Sequence, residues 1–421
     1  MKTHYGLIVV GGGLTGVCAS IAAARQGVDT LLIERWNCLG GAAAGNLVNP
    51  FMRFWTTMPD TKERKFLCNG IFREILQEAE KIDGYPEKQY PNKFDEEILK
   101  LVLNRMVIDA GVQLLFNTVV SGACVREERI ESVTCATCGG ALTLTADYYV
   151  DATGDAELSM LAGVPFKLGR EADCLCQPMT LCFRMGGVDK EMYHKHRHEI
   201  NTLYQKFQEE GKIKNIREDV LIFENFHEGV LHFNTTRIVK KNPTNPFDVT
   251  QAELEAREQV FEIWKFLKEN IPGFEKCRVL STAMHIGVRE SRMIEGEYTL
   301  TEQDLLALTR FPDAIATGDY DIDIHNPEGS GTSHHFFKPG EWYTIPYRSL
   351  IPKTILNMLV AGRCISSTHE AQASYRIMPI VATLGEAAGT AISVATADKV
   401  DVRNVDIEKL QNLLRKNGFI I

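Results

Sequence analysis

The stretch Tyr5-Gly-Leu-Ile-Val-Val10-Gly11-Gly-Gly13-Leu14-Thr15-Gly16 decides how this chain begins to fold. Tyr5 to Val10 is an aromatic and β-branched run, the pattern of a buried parallel strand. Gly11, Gly13 and Gly16 have the spacing GxGxxG. Val17 to Gln26 is small and apolar and stops at Gly27, which predicts a helix with a glycine end. Asp29 to Glu34 reads as a second strand carrying an acid at its end. Gly11 permits the tight turn, Gly13 lets backbone approach a pyrophosphate, and Gly16 lets helix and strand pack closely. Free N–H groups at the helix start, with the helix dipole, stabilise phosphate charge. Glu34 is placed to accept ribose hydroxyls. The whole strand–glycine–helix–strand–acid unit predicts dinucleotide binding, which a lone GxGxxG would not.

Outward from this unit, other segments choose between cofactors. Arg35-Trp-Asn-Cys-Leu-Gly40-Gly41-Ala-Ala-Ala-Gly45 follows the acid at once. Its paired glycines let a loop run along the phosphates and ribityl chain of an extended cofactor. Phe94 to Gly111 predicts a helix, followed by strands over 112–120, 123–131 and 141–145. A further strand, Asp147 to Val150, leads into Asp151-Ala152-Thr153-Gly154-Asp155. The order is a crossover helix, a small meander and a return strand. Asn357 to Ala361 is another buried strand, closed by Gly362-Arg363. Met378-Pro379 opens a small-residue helix, with proline in the first turn, where its missing N–H costs nothing. The amino end of that helix is suited to stabilise negative charge on a reduced flavin. No second strand–GxGxxG–helix unit occurs, and Met185-Gly-Gly-Val lacks the pattern, so no NAD(P)H domain is expected.

The bulk properties fit a globular protein. At 421 residues the chain is long enough for two domains, or for one with a large insertion. Hydrophobic residues are 44% and charged residues 24%. The net charge is −9, and the short basic clusters are interrupted by acids, which argues against nucleic acid as a partner. The opening apolar run is too short for a signal sequence, and no stretch reads as a bilayer span of ~20 apolar residues. The expectation is a cytoplasmic protein without membrane insertion. Eleven irregularly spaced cysteines argue against a disulfide framework. Cys135-Ala-Thr-Cys138, followed by Gly139-Gly140, reads as a hairpin turn rather than a zinc or redox site. His194, His196 and His198 lie among Lys, Arg, Glu and Gln and read as a solvated helix face. No metal site is expected.

Several strings carry a resemblance to a known family. They are Gly287-Val-Arg-Glu-Ser-Arg292-Met-Ile-Glu-Gly-Glu-Tyr298-Thr-Leu-Thr-Glu-Gln-Asp304, Asp321-Ile-Asp-Ile-His325, Ile345-Pro-Tyr-Arg-Ser-Leu350 and Ala361-Gly-Arg-Cys364-Ile-Ser-Ser-Thr-His-Glu-Ala371. Over nearly its whole length the chain resembles the bacterial FAD-dependent oxidoreductase family. That family belongs to the glutathione-reductase-like FAD superfamily and is distantly related to succinate dehydrogenase and fumarate reductase flavoproteins. The resemblance implies an α/β fold: a Rossmann-like FAD-binding domain of the glutathione-reductase type with an inserted α+β substrate domain. Residues 1–165 plus 350–421 would form the first and residues 166–349 the second. It implies Gly11, Gly13, Leu14, Thr15 and Gly16 at the pyrophosphate, Glu34 and Arg35 at the adenosine ribose, and Gly40 and Gly41 along the ribityl side. Val120 would meet adenine through its backbone. Ala152, Thr153, Gly154, Asp155, Gly362, Arg363, Met378 and Pro379 would close the site. One position departs: many superfamily members carry an acid where Arg363 stands, so the ribityl contact must be made differently.

Within the middle region, Pro178 to Met185 reads as a strand and Glu224 to Asn234 as a hairpin bent at Gly229. Asp248 to Glu269 reads as a long helix capped by Asp248 or Thr250, and Thr301 to Thr309 as a second helix capped through Asp304. Flavin chemistry needs a proton-moving group and often a cation for an anionic substrate. His285, Arg289 and Arg292 share a face if their segment is helical, and the two arginines could clamp a carboxylate. Alternatively they pair with Glu290, Glu295 or Glu297. His325 is a candidate acid or base, or is held in a turn by its Asp neighbours. His334-His335 could line an entrance. His369 and Arg376 fall between the last strand and the last helix, close to where the flavin ring would sit. No histidine lies between Arg35 and Phe51, so noncovalent FAD is expected. The leading reading is an FAD-dependent dehydrogenase or reductase. It would pass hydride between flavin N5 and a small polar substrate, a carboxylate or sugar derivative, with the electron acceptor unknown. The alternatives are an oxygen-using oxidase or monooxygenase, and a noncatalytic FAD-binding protein.

Overall fold

A computed structural model describes residues 2–87, 92–225 and 227–421. The first strand, His4–Val10, is buried over most of its length because it is sandwiched inside a parallel sheet. It pairs in parallel with Thr30–Ile33 on one side and with the long strand Gly140–Asp151 on the other. Gln113–Leu115 adds beyond Thr30–Ile33, and Met358–Val360 pairs with the end of the long strand, again in parallel. All these strands point their carboxyl ends the same way. Gly11, Glu34, Ala152 and Ala361 are the residues that follow four of those ends, which is where ligands bind in open α/β sheets.

The sheet grows differently from the sequence expectation in three places. The run 112–120 breaks at Asn117, φ 52°, into the parallel strand Gln113–Leu115 and a new strand Val119–Arg126. The expected strand 123–131 reverses direction at Glu127 and Glu128, with φ 48° and 60°. Two left-handed residues make a tight hairpin here without the glycine or asparagine that usually marks one. The expected strands 141–145 and 147–150 are a single strand, half in the antiparallel meander and half in the parallel sheet. Cys138 lies in the hairpin turn itself and is exposed, while Cys135 lies in the strand leading into it and is buried.

The glycine-loop helix, Leu14–Arg25, lies against the buried helix Met378–Asp398. The approach is close because Gly385 and Gly389 face its backbone. A Cβ on either would fall 2.0 Å from the Thr15 carbonyl oxygen or 2.1 Å from that of Ala19. By length and composition Met378–Asp398 could cross a bilayer, which corrects the reading that no stretch qualifies; here its apolar window is 89% buried in protein.

A second hydrophobic cluster draws on residues between Met179 and Ile286, together with Leu47. It packs a four-stranded antiparallel sheet, in the order Ile222–Glu224, Leu231–Phe233, Phe183–Gly186, Arg278–Thr282, against the helices Lys190–Glu209 and Pro246–Asn270. His194, His196 and His198 lie on the first of these helices, none of them buried. The expected strand 178–185 is regular only from Phe183, and Met179 and Thr180 make single bridges to Ile238 and Gly287. The hairpin bends at Gly229, φ 65°; Phe226, within its expected span, lies outside the described residues. The long helix starts earlier than expected. Asn245 is its cap, accepting from the Phe247 and Asp248 N–H groups, because Pro246 suits the first helical position. The short helix Glu302–Leu306 has the expected capping box between Thr301 and Asp304. Leu300, Ile315, Tyr343 and Tyr347 pack on the first core rather than the second.

Candidate functional site

The strand ends open onto a cavity of about 220 Å³. Gly11 turns the chain out of the first strand at φ +101°, where a Cβ would lie 2.5 Å from the Ala152 carbonyl oxygen. Gly16 is packed out of the cavity, since a Cβ there would fall 1.8 Å from the Gly11 carbonyl oxygen. At Gly13 the nearest atom to a Cβ would be 3.8 Å away, on the facing Gly41, whereas a Cβ on Gly41 would fall 2.8 Å from the Gly13 Cα, so the two glycines form a cradle closed to any side chain at position 41. The helix beginning at Leu14 has no side-chain cap and no acid in its first turn. Its N–H groups and positive dipole end therefore face the cradle, the donor set that a pyrophosphate needs. This arrangement fits the phosphates of a dinucleotide.

Glu34 lies at one end of the cavity, with its carboxylate oxygens accepting from the Gly12 and Trp36 N–H groups. Burial raises its pKa, and those N–H groups offset part of the rise. Arg35 pairs with Glu157 at 2.6 Å, and Val120 and Thr118 line the same end. At the middle, fully buried Asp151 holds the Ala152–Asp155 turn. One carboxylate oxygen accepts from Thr153, the other from the Ser159 N–H and hydroxyl at 2.7 and 2.6 Å. Gly154 has φ +80°, and Arg363 lies over it. Leu14, Thr15, Gly40, Ala152, Thr153, Gly362 and Met378 complete the lining, which does not include Pro379.

A second cavity, about 150 Å³, shares Ala42, Asn46, Val288, Arg363, Arg376 and Met378 with the first, so the two are contiguous. Arg289 stands in it. Its guanidinium donates to the Pro178 carbonyl, the Thr180 hydroxyl and the Asn234 side-chain oxygen, at 2.7, 2.5 and 3.4 Å. All three acceptors are neutral, and no described carboxylate comes within ion-pairing distance. Burial, then the positive charges of Arg376 and Arg217, push its pKa down to about 9. Arg376 is bound to Asp323 at 3.3 Å. Burial alone would raise Asp323, but His325, Arg376 and Arg289 more than offset it and the net shift is downward. His325 is pushed down to about 3 by burial and then by Arg289.

Of the six candidate catalytic residues, this cavity brings together Arg289, His325 and Arg376. His285 lines the first cavity instead, stacked on Trp36 at 4.8 Å, and burial lowers its pKa. Arg292 and His369 line neither. Arg292 donates to the Asp155 carbonyl at 3.0 Å and covers the Phe166 ring, while His369 is bound at 2.7 Å to the fully buried Glu290. The cause is local conformation. Residues 285–291 form no helix, and Arg292 begins the strand Arg292–Ile294, so no common face exists. His334 faces Asp321 and Asp323 across the hairpin Ile322–His325/Thr332–His335, and one ligand atom of each lies within 4.8 Å of the others. Thr180, Asn234 and Trp36 carried no signal in the sequence that would mark them. Asp323 had one, the alternation Asp-Ile-Asp-Ile-His.

A protein-family profile described as FAD dependent oxidoreductase matches residues 6–414. Among curated proteins the chain is similar to a thiamine thiazole synthase of Methanococcus vannielii, 26% identical over 35% of this chain and 55% of that protein. It is also similar to a digeranylgeranylglycerophospholipid reductase of Methanocella arvoryzae, 27% identical over 39% of this chain and 43% of that one. The chain thus spans about half the length of the curated relatives it matches. Among solved structures, a p-nitrophenol 4-monooxygenase from Pseudomonas putida aligns with TM-score 0.49 at 12% identity, covering 99% of this chain and 87% of that one. The profile match and the glycine cradle at the strand ends agree: the chain belongs to the FAD dependent oxidoreductase family, and FAD is its cofactor.

Proposed function

We propose that the protein is a dehydrogenase or reductase of the glutathione-reductase-like type, with noncovalent FAD and a small carboxylate-bearing substrate in the second cavity. Residues 166–349 would supply most of the substrate side. Bound FAD supplies hydride transfer at N5. The protein's own residues bind and orient the substrate. The observation that carries this reading is Arg289, a guanidinium with only neutral partners, in a cavity continuous with the cofactor cavity. A half-buried cation with no carboxylate in ion-pairing distance is costly, and an anionic ligand relieves that cost. A carboxylate is thereby favoured over a neutral sugar, because two parallel N–H donors of a guanidinium match its two oxygens.

The test has two steps. Flavin absorbance released into the supernatant by acid precipitation would establish noncovalent FAD, and colour kept in the pellet would refute it. Anaerobic addition of small carboxylates and of neutral sugars follows, with bleaching of the flavin as the readout. Bleaching by a carboxylate supports the proposal. Bleaching only by neutral sugars, or bleaching by neither, overturns the substrate assignment. Fast oxygen uptake after bleaching would instead identify an oxidase.

A further inference from the structure

His325 faces the second cavity, and what it can do there depends on which ring nitrogen carries the proton. Behind it lies Arg237, 1% exposed, whose Nη2 is 2.9 Å from His325 Nδ1. A guanidinium has five donors and no acceptor. Nδ1 must therefore offer its lone pair, and the ring is protonated on Nε2. The Thr332 hydroxyl, 3.2 Å from Nδ1, also lies 3.2 Å from Glu218 Oε1, an acceptor for its proton. Arg237 is itself held by the Gly329 and Gly331 carbonyls and by Glu218 at 3.2, 3.0 and 3.1 Å. It is a buried donor held by three acceptors besides the ring. The other charged groups around the ring are Asp323, 3.4 Å from Nε2, and the cations Arg289 and Arg376. The two cations, added to Arg237, oppose a second proton on the ring.

We infer that Arg237 is a positioning residue that locks His325 in the neutral Nε2–H form, so that Nε2 is a hydrogen-bond donor, not a base, shared between Asp323 and an oxygen atom of a substrate in the cavity. Together with Arg289 this makes the wall a donor surface suited to a carboxylate or carbonyl oxygen. The role toward substrate rests on the proposed function; the tautomer does not.

Nitrogen-15 NMR of FAD-loaded protein labelled at histidine tests the tautomer without any flavin reduction, so the two readings fail separately. His325→Gln identifies the signal. In the unaltered protein His325 should show a protonated Nε2 and an unprotonated Nδ1, with no titration between about pH 5 and pH 8, the range in which an ordinary histidine changes charge. A protonated Nδ1, or a midpoint near the ordinary ~6.5, overturns the inference. Arg237→Met that keeps its flavin absorbance should release Nδ1, giving a mixture of tautomers. Arg237→Lys, which restores a donor, should return the single form. An unchanged His325 signal in Arg237→Met would overturn the role of Arg237, and the wild-type spectrum decides the tautomer even if that variant does not fold.

Discussion

Arg363 lies across Gly154 and closes on Asp155, its Nη2 2.6 Å from a carboxylate oxygen that also accepts from the Ser291 hydroxyl. The chain thus has a carboxylate at the cofactor cavity even though the position after Gly362 is basic, because the acid comes from the neighbouring strand end. Breaking this partly buried pair leaves a charge uncompensated. Asp155→Ala and Arg363→Ala should each weaken FAD binding by roughly tenfold or more, given about 1.4 kcal/mol per factor of ten. Fluorescence titration of the apoprotein with FAD measures it. The double variant should lose much less than the sum, since either change alone removes the pair.

Gly11 is the turn on which the cavity depends. Any side chain there would have φ near +101° and a Cβ 2.5 Å from the Ala152 carbonyl oxygen. Gly11→Ala should cost at least ~1–3 kcal/mol of backbone strain, with displacement of the Ala152 turn added. The expected result is protein purified with little flavin and a lowered midpoint of thermal unfolding. A variant that binds FAD normally would show that the turn relaxes freely.

The parts legible in the sequence are those fixed by backbone chemistry. Glycine at Gly11 and Gly13, proline at Pro379 and the capping pair Thr301–Asp304 act locally, so their meaning survives without knowledge of the rest of the fold. What was not legible depends on partners far along the chain. The hairpin at Glu127–Glu128 has no turn residue to mark it. Arg289 and Arg292 look alike in sequence. Only the bridge of Gly287 to Thr180, which fixes the extended path, sends one into the cavity and the other toward Asp155. Asn245, the cap in the structure, precedes Pro246, and Asp248 and Thr250 offer the same capping chemistry a few residues further on.

That divergence of the two arginines can be measured. Arg289→Ala should raise the dissociation constant of small carboxylates, followed by perturbation of flavin absorbance, roughly 10–100-fold, the worth of a charge-assisted hydrogen-bonded pair. Arg292→Ala should leave those constants unchanged and instead lower stability by about 1–2 kcal/mol, through loss of the Phe166 contact and the bond to the Asp155 carbonyl. A loss of carboxylate binding in the second variant and not in the first would reverse the assignment.

Glu386 gives the fold a pH dependence of known sign. It is fully buried on the helix Met378–Asp398 and accepts from the Ile71 N–H at 2.6 Å and from the Asn417 side chain at 2.8 Å. Burial is the main cause of its pKa being raised to about 7 from 4.5. The folded protein therefore holds this proton more tightly than the unfolded chain. The stabilisation is complete below about 4.5 and is lost as pH rises through about 7, an effect on the order of 3 kcal/mol from the two values. Glu386→Gln keeps an oxygen for Ile71, and its amide can donate to Asn417 once that side chain turns its oxygen inward. The variant should match the parent near pH 4.5 and exceed it in stability at pH 8, with FAD saturating in both so that cofactor loss does not enter. Urea unfolding across that range reads the difference. If the glutamine variant is instead less stable at pH 8, the carboxylate is ionised in the fold. Its charge at the start of the helix Ile71–Glu80, attracted by the unpaired N–H groups there, then outweighs the cost of burying it.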